Sequence, residues 1–411
     1  MQGGNLPRIK IHNQSLIRKM IYMHGPILRS EIAERLELTV PTITTNVNSL
    51  IELGIVDNVK NAAQPSNSLG RKASPIDIIP DSRYFIGLEI RRTFRHLCVT
   101  DYRGKMIFSS SDRTVYNDYD DNVRSVSQLL KNALQNLPLP AEKIAGIGIA
   151  SPGIIDTENG ILQTHKKYDW YNKNILADIA SQSGYHGSMV VGNNAYARAL
   201  GQQLFHRELI HDIPSFVYLF ISSGIACPFI LCDPNFLSIP VGPGELGYMI
   251  MDSQTEADGT KAIATLSDFS GERALIERCS ELVTSGKAPY LASLCGNEAP
   301  SLSQILQAQK HGEDCVDEVV STSIYYLGLA LAGIDNFIRP NALLADAHIF
   351  AIQKNRDTFI KTINDHVFCP QSTIPNIIFI EYNEYSGALG GAALAIQKDF
   401  EQYLSTEDIQ A

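Results

Sequence analysis

The chain has 411 residues, 44 % of them hydrophobic and 19 % charged, which is ample for a sizeable core and for two or three domains. Its apolar runs are short and broken, the opening "MQGGNLPRIKIHNQS" lacks a secretory h-region, and its seven cysteines show no CxxC pairing. Membrane-spanning, disulfide-framed and zinc-ribbon classes are therefore set aside, and a reducing cytoplasm is the expected compartment. The net charge of −10 argues against general affinity for nucleic acid, yet residues 1–80 carry nine Lys/Arg against six Asp/Glu. A mildly basic head on an acidic body is the charge pattern of a small DNA-reading module joined to a larger domain.

In chain order, "NQSLIRKMIYMH" (13–24) is predicted as a first helix capped by Asn13, with Leu16, Ile17, Met20 and Ile21 on one face. "GP" at 25–26 ends it. Ser30 is expected to cap a second helix, "SEIAERLE", in which Ile32, Ala33 and Leu36 point inward. After a turn at Leu38, Thr39 is expected to cap a third helix with Pro41 in its first turn. In "VPTITTNVNSLIELG" the residues Ile43, Val47, Leu50 and Ile51 form one stripe, which turns Thr42, Thr45, Asn48 and Ser49 outward, with Asn46 beside them. That uncharged polar face can approach base edges in a major groove. Gly54 stops the helix, and "IVDNVKNAAQPSNSLGRKASPIDII" alternates about a polar loop as a two-stranded wing does.

Residues 1–80 are thus expected to form a winged helix-turn-helix with its wing and linker. Its base-reading candidates are Thr42, Thr45, Asn46, Asn48 and Ser49. Phosphate anchoring falls to Arg29, Lys60, Arg71 and Lys72, with Arg71 of "GRK" able to enter a narrow minor groove. A three-helix bundle for protein contacts is the alternative reading of the head, and a solvated linker that of "GRK".

From Tyr84 the pattern becomes α/β. Strands "YFIGLEI", "HLCVTD" and "KMIFSS" are joined by tight turns, one at Arg103-Gly104. A helix near 121–136, the strand "IAGIGIA", the turn "SPGIIDTENG", a helix near 173–184 and the strand "SMVVGN" follow. The strand runs into Asn193 and Asn194 and then a helix from Ala195, a mount suited to a reactive group that nevertheless holds no group able to take a proton.

These segments, with "GRK", "IGLEIRRT", "GIGIASPGIID", "NNAYARALGQ", "GPGELGY" and "SGALGGAALA" in this order, resemble the ROK family of repressors and sugar kinases over nearly the whole chain. The resemblance implies an N-terminal winged helix-turn-helix followed by a two-lobed, actin-like (ribonuclease H-like) α/β domain over 81–411. Lobe one is expected at about 81–197 plus 385–411 and lobe two at about 198–384. It further implies a ligand cleft between lobes, a homodimer or homotetramer, a double-stranded DNA operator and a sugar or sugar-phosphate effector.

Departures from the family pattern bear on catalysis. Where kinases resemble "DxGGT", this chain has Glu89-Ile90-Arg91-Arg92-Thr93, without the glycines that let backbone amides approach phosphates. The second phosphate loop, which resembles "GTGIGGG" in kinases, is Ser222-Ser223-Gly224-Ile225-Ala226-Cys227-Pro228, and "NALLADAH" lacks the adenosine-side glycine pair. The pattern "ENDAN" matches Gly192-Asn193-Asn194-Ala195-Tyr196, so Asn194 stands where the family's general base is an aspartate. The zinc motif has no matching His or Cys, with Tyr248 in the histidine's place and free to fill the vacated volume. No catalytic residue, cofactor or metal is expected. The candidate ligand residues are Pro152, Gly153, Lys166, Asn193, Asn194 and Glu245, with Lys166 favouring an anionic sugar unless it is a surface charge. The resulting expectation is a repressor of carbohydrate-use genes without kinase activity. Its rivals are a regulator with a vestigial cleft controlled by a partner such as a sugar-transport protein, and a sugar kinase with a DNA-binding head.

Overall fold

The computed structural model describes residues 6–59, 74–165, 168–210, 213–232, 239–255, 261–368 and 376–404. The chain divides into two compact units, one from 1–212, 232–238 and 384–411, the other from 213–231 and 239–383. The first break falls after α6 (Asn194–Phe205) and α7 (Arg207–Ile210) rather than at 197/198, because α6 is one continuous helix and stays with the unit in which it begins.

The head contains α1 (Leu6–His24), α2 (Arg29–Leu36), α3 (Val40–Glu52) and the antiparallel pair β1 (Val56–Asn58) and β2 (Ile76–Ile78). Ile17, Met20, Ile21, Ile32, Ile43, Val47 and Leu50 form its buried centre, as the periodicity requires. Two expected caps are corrected. Asn13 lies inside α1, which runs back to Leu6. Gln14 on α1 exchanges hydrogen bonds with the Leu404 backbone at 2.9 and 2.8 Å, so the helix is held by a partner 390 residues away that local pattern does not register. Ser30 lies within the first turn of α2, whose N-cap is Leu28; the Leu28 amide donates to the Glu31 carboxylate at 3.1 Å instead. Thr39 does cap α3, accepting from the Thr42 amide. The tip of the wing lies outside the described residues.

The first unit's sheet has the order β10-β6-β3-β4-β5, from β3 (Tyr84–Ile90), β4 (Arg95–Asp101), β5 (Met106–Asp112), β6 (Ile144–Ser151) and β10 (Met189–Asn193). β3, β4 and β5 pair antiparallel, whereas β6 and β10 run parallel to β3. One face packs Ile86, Leu88, Val99 and Ile149 against α4 (Tyr119–Asn136) and α5 (Ile175–Ser183). A small sheet of β7 (Ile154–Asp156), β8 (Ile161–His165) and β9 (Trp170–Asn174) follows the turn after β6; its strands are too short and polar to show in the sequence pattern. The other face is covered by α6 and by the C-terminal helix α14 (Ser386–Phe400). A Cβ on Gly87 would lie 1.8 Å from the Ala388 carbonyl oxygen, and one on Gly148 1.9 Å from that of Gly391. Backbone therefore rests on backbone, which is why "SGALGGAALA" is built from small residues. Head and sheet share one apolar cluster: Ile17, Ile21 and Tyr22 of α1 belong with Phe85, Tyr102, Phe400 and Leu404.

The second unit repeats this topology. β11 (Ser215–Ile221), β12 (Ile225–Ala226), β13 (Phe229–Leu231), β14 (Ile239–Val241), β17 (Ala342–Asp346) and β18 (Asn376–Phe379) form a sheet of order β14-β13-β11-β17-β18, with β12 on β11. Again three strands meander antiparallel and two run parallel to the first. A hairpin of β15 (Ile250–Thr255) and β16 (Lys261–Thr265) precedes α8 (Leu266–Ser270), α9 (Glu272–Thr284), α10 (Pro289–Cys295), α11 (Leu302–His311), α12 (Asp314–Ile338) and α13 (Gln353–His366). Among the described residues α12 alone is long and apolar enough to cross a membrane. Its Val316, Val320, Ile324, Leu327 and Leu331 are instead buried in the unit's own core.

Candidate DNA-facing and ligand-facing residues

On α3 the buried stripe fixes which side faces out. Thr45 and Asn48 are exposed, and Thr42, Asn46 and Ser49 are half-exposed. The Thr45 hydroxyl donates to the Pro41 carbonyl at 3.0 Å and the Asn46 amide to that of Thr42 at 2.9 Å, so each side chain commits one donor to its own helix. Val40, missed by a polar search, is 50 % exposed beside them and adds a methyl-bearing surface of the kind that meets thymine. Arg29 bonds Asn58 at 3.2 Å, tying the first turn of α2 to the wing. Lys60, Arg71 and Lys72 lie outside the described residues.

Asn193 is more structural than its place in the pattern suggested. Its Oδ1 accepts from the amides of Ala195 and Tyr196 at 2.9 and 3.3 Å, capping α6, while its amide donates to the Gly153 carbonyl at 3.0 Å. Gly153 has φ +98°, a backbone state open to glycine, and follows Pro152 and a buried Ser151. Asn193 thus joins the turn after β6 to the start of α6, and Asn194, 7 % exposed, begins the helix. Nearby, the His165 ring stacks on Tyr168 at 4.0 Å and accepts from its amide at 3.2 Å, and Trp170 is buried edge-on to Tyr119. Lys166 lies outside the described residues.

Glu89, at the position of the kinases' first phosphate turn, is fully buried. Arg198 Nη2 donates to both its oxygens, at 2.9 and 3.1 Å. The carboxylate rests against Gly387 at the start of α14, where a Cβ would lie 2.0 Å from Glu89 Cδ. Arg91 and Arg92 lie over the rings of Phe94 and Tyr168. The local arrangement is a neutralised carboxylate walled by side chains, not a ring of bare amides. Arg198 was overlooked in the sequence; an arginine within the alanine run "AYARALG" was the available signal.

In the second unit Glu245 precedes a 3-10 turn, Leu246–Tyr248; the residue is exposed, and partial desolvation of its carboxyl raises it above its ordinary value. Tyr248 is 65 % exposed, which corrects the expectation that it fills a vacated volume. Among the described residues no group of three or more His, Cys, Asp or Glu is arranged to hold a metal. Cys98, Cys227 and Cys279 are buried free thiols, each pushed up to about 12 by burial.

The ROK family model matches residues 85–398. The xylose repressor of Caldicellulosiruptor bescii is 24 % identical over 83 % of this chain and 84 % of its own length. A crystal structure of a ROK family transcriptional regulator, described as a homologue of the E. coli MLC protein, superposes with a TM-score of 0.78 at 20 % identity over 98 % of this chain and 100 % of that one. A ROK family glucokinase from Streptomyces griseus, solved with glucose and AMPPNP, gives 0.64 at 16 % identity over 76 % of this chain and 98 % of its own.

Proposed function

The chain belongs to the ROK family, and on that footing we propose that it is a DNA-binding transcriptional repressor of carbohydrate-use genes. It acts in the cytoplasm as a homo-oligomer, and its body holds a sugar or sugar derivative without phosphorylating it. The carrying observation is α3: a capped helix with a buried stripe and an uncharged polar outer face, set in a helix-turn-helix with a two-stranded wing. Two features support the absence of catalysis. Asn194 begins α6 where the family's base is an aspartate, and an amide cannot take the hydroxyl proton. Arg91 and Arg92 stand where the kinases' turn has glycines, and their side chains, laid over Phe94 and Tyr168, replace the bare amides that approach phosphate.

Two assays test this reading. The full chain should select a two-fold symmetric motif from a random duplex pool, since one recognition helix reads only a few base pairs and a dimer doubles the contact. Absence of enrichment sinks the DNA half. Coupled ADP release with pentoses, hexoses and amino sugars should stay at background; turnover lost with Asn194→Ala sinks the other half.

One observation favours a second reading, control by a protein partner such as a sugar-transport component. Phe337 and Phe368 are 89 % and 94 % exposed, and Asn336 holds the two segments together by accepting from the Phe368 amide at 2.7 Å. Calorimetric silence across the sugars and their phosphates favours that reading.

A further inference from the structure

A helix leaves its last carbonyls without intrahelical partners. At the end of α1 the Tyr22 carbonyl accepts from Arg103 and from Arg207, each at 2.5 Å, and the Met23 carbonyl accepts from Arg207 at 2.9 Å. Two guanidinium groups therefore sit on the negative end of the α1 dipole. Arg103 also lies 4.9 Å over the Tyr22 ring and pairs with Asp77 of β2, which fixes the end of α1 to the base of the wing.

Arg207 is the second residue beyond α6. The opposite end of that helix is the Asn193 cap, tied to Gly153. A single helix of 12 residues, about 18 Å long, thus spans from the candidate ligand residues to the head's first helix. It is braced along its length. A Cβ on Gly390 of α14 would lie 2.5 Å from the Ala197 carbonyl carbon, so the two helix backbones touch. The Tyr196 hydroxyl pairs with the Gln397 amide at 3.1 Å. Two residues further along α14, Asp399 holds Arg18 of α1.

We infer that α6 is a strut that carries a displacement at Gly153 and Asn193 through Arg207 to the end of α1, and so to the DNA-reading helix. Its ligand and its DNA rest on the regulator reading; the strut itself is observable without either. A sugar that draws the Gly153 turn away from the α6 cap would loosen the grip of Arg207 on the Tyr22 and Met23 carbonyls. The head would then be less firmly set on the first unit.

Backbone hydrogen exchange on the full chain tests the inference, with Asn193→Ala as the displacement. Loss of the cap should speed exchange in the α1 residues 18–25 about fivefold, the factor one N-cap is worth, while the β4–β5 residues 95–112 hold their rate. Asn193→Asp, which keeps the α6 cap but cannot donate to the Gly153 carbonyl, should slow α1 exchange towards the wild-type rate without reaching it. In an Arg207→Ala background α1 should already exchange faster, and adding Asn193→Ala should change it no further. Exchange in α1 that ignores Asn193→Ala, or that rises equally across the unit, overturns the strut. Failure to select a duplex would instead sink the regulator reading and leave the exchange result standing.

Discussion

Asp399 is buried with one negative charge among three donors: Arg18 at 3.3 Å, Arg83 at 2.7 Å and the Tyr102 hydroxyl at 2.9 Å. Arg18, fully buried on α1, also donates to the Asp399 and Gln402 carbonyls. Removing the carboxylate leaves that guanidinium uncompensated, so Asp399→Ala should cost roughly 3–5 kcal/mol in denaturant unfolding of the full chain; an unchanged midpoint contradicts the pairing. Asp112 offers a test in pH. Burial pushes its carboxyl up, but hydrogen bonds from Ser125 and Thr114 and the charge of Arg95 outweigh it and hold the group at about 2 against an ordinary 3.8. Folding therefore favours the ionised form, and its contribution is full above that ordinary value and is lost as pH falls towards 2. Asp112→Asn should flatten this stretch of the stability curve; identical acid profiles refute the assignment. At this scale the sequence was partly legible. It marked Asn193 and Asn194 as special, yet residue type alone does not separate an amide that caps a helix from one that meets a ligand. Glu89 was legible as a missing phosphate loop, whereas its partner Arg198, 109 residues away, was not.

Elements were easier to read where one face is dry and the other wet. The stripe of α3 and the strands β3 to β6 lie where the periodicity put them, because each element's burial is set by its immediate neighbours. α1 was truncated in the reading, since Ile9 and Ile11 in its first turns are exposed and extend no buried stripe, while Lys10 lies over the ring of Tyr403, far along the chain. The outer face of α3 yields a direct prediction. Thr45→Arg sets a long cation on a surface of short polar side chains, and should cost roughly 1–3 kcal/mol of specific duplex affinity, about 5- to 150-fold. The site is exposed, so melting should stay within about 0.5 kcal/mol of wild type. Fluorescence anisotropy with the selected duplex decides it; undiminished affinity means another surface reads the bases.

At the scale of the molecule, each unit is built on the same order of three antiparallel strands followed by two parallel ones. The sequence signalled the α/β class and the motif order. It did not signal that residues 1–80 would share a core with the sheet of the first unit, because that union is made by Tyr22, Phe85, Tyr102 and Phe400, each apolar in an ordinary local pattern. The head is consequently continuous with the unit that carries Gly153, Asn193 and Asn194, the continuity on which the proposed coupling rests. An effector changes operator affinity only by its differential affinity for two states, and such couplings are typically about 5- to 150-fold. The central claim is therefore tested most directly by titrating the selected duplex with the full chain, with and without each of a panel of pentoses, hexoses, amino sugars and their phosphates. A tight, motif-dependent complex that at least one of these sugars weakens by about tenfold is the predicted result; duplex binding indifferent both to motif and to every sugar would contradict it.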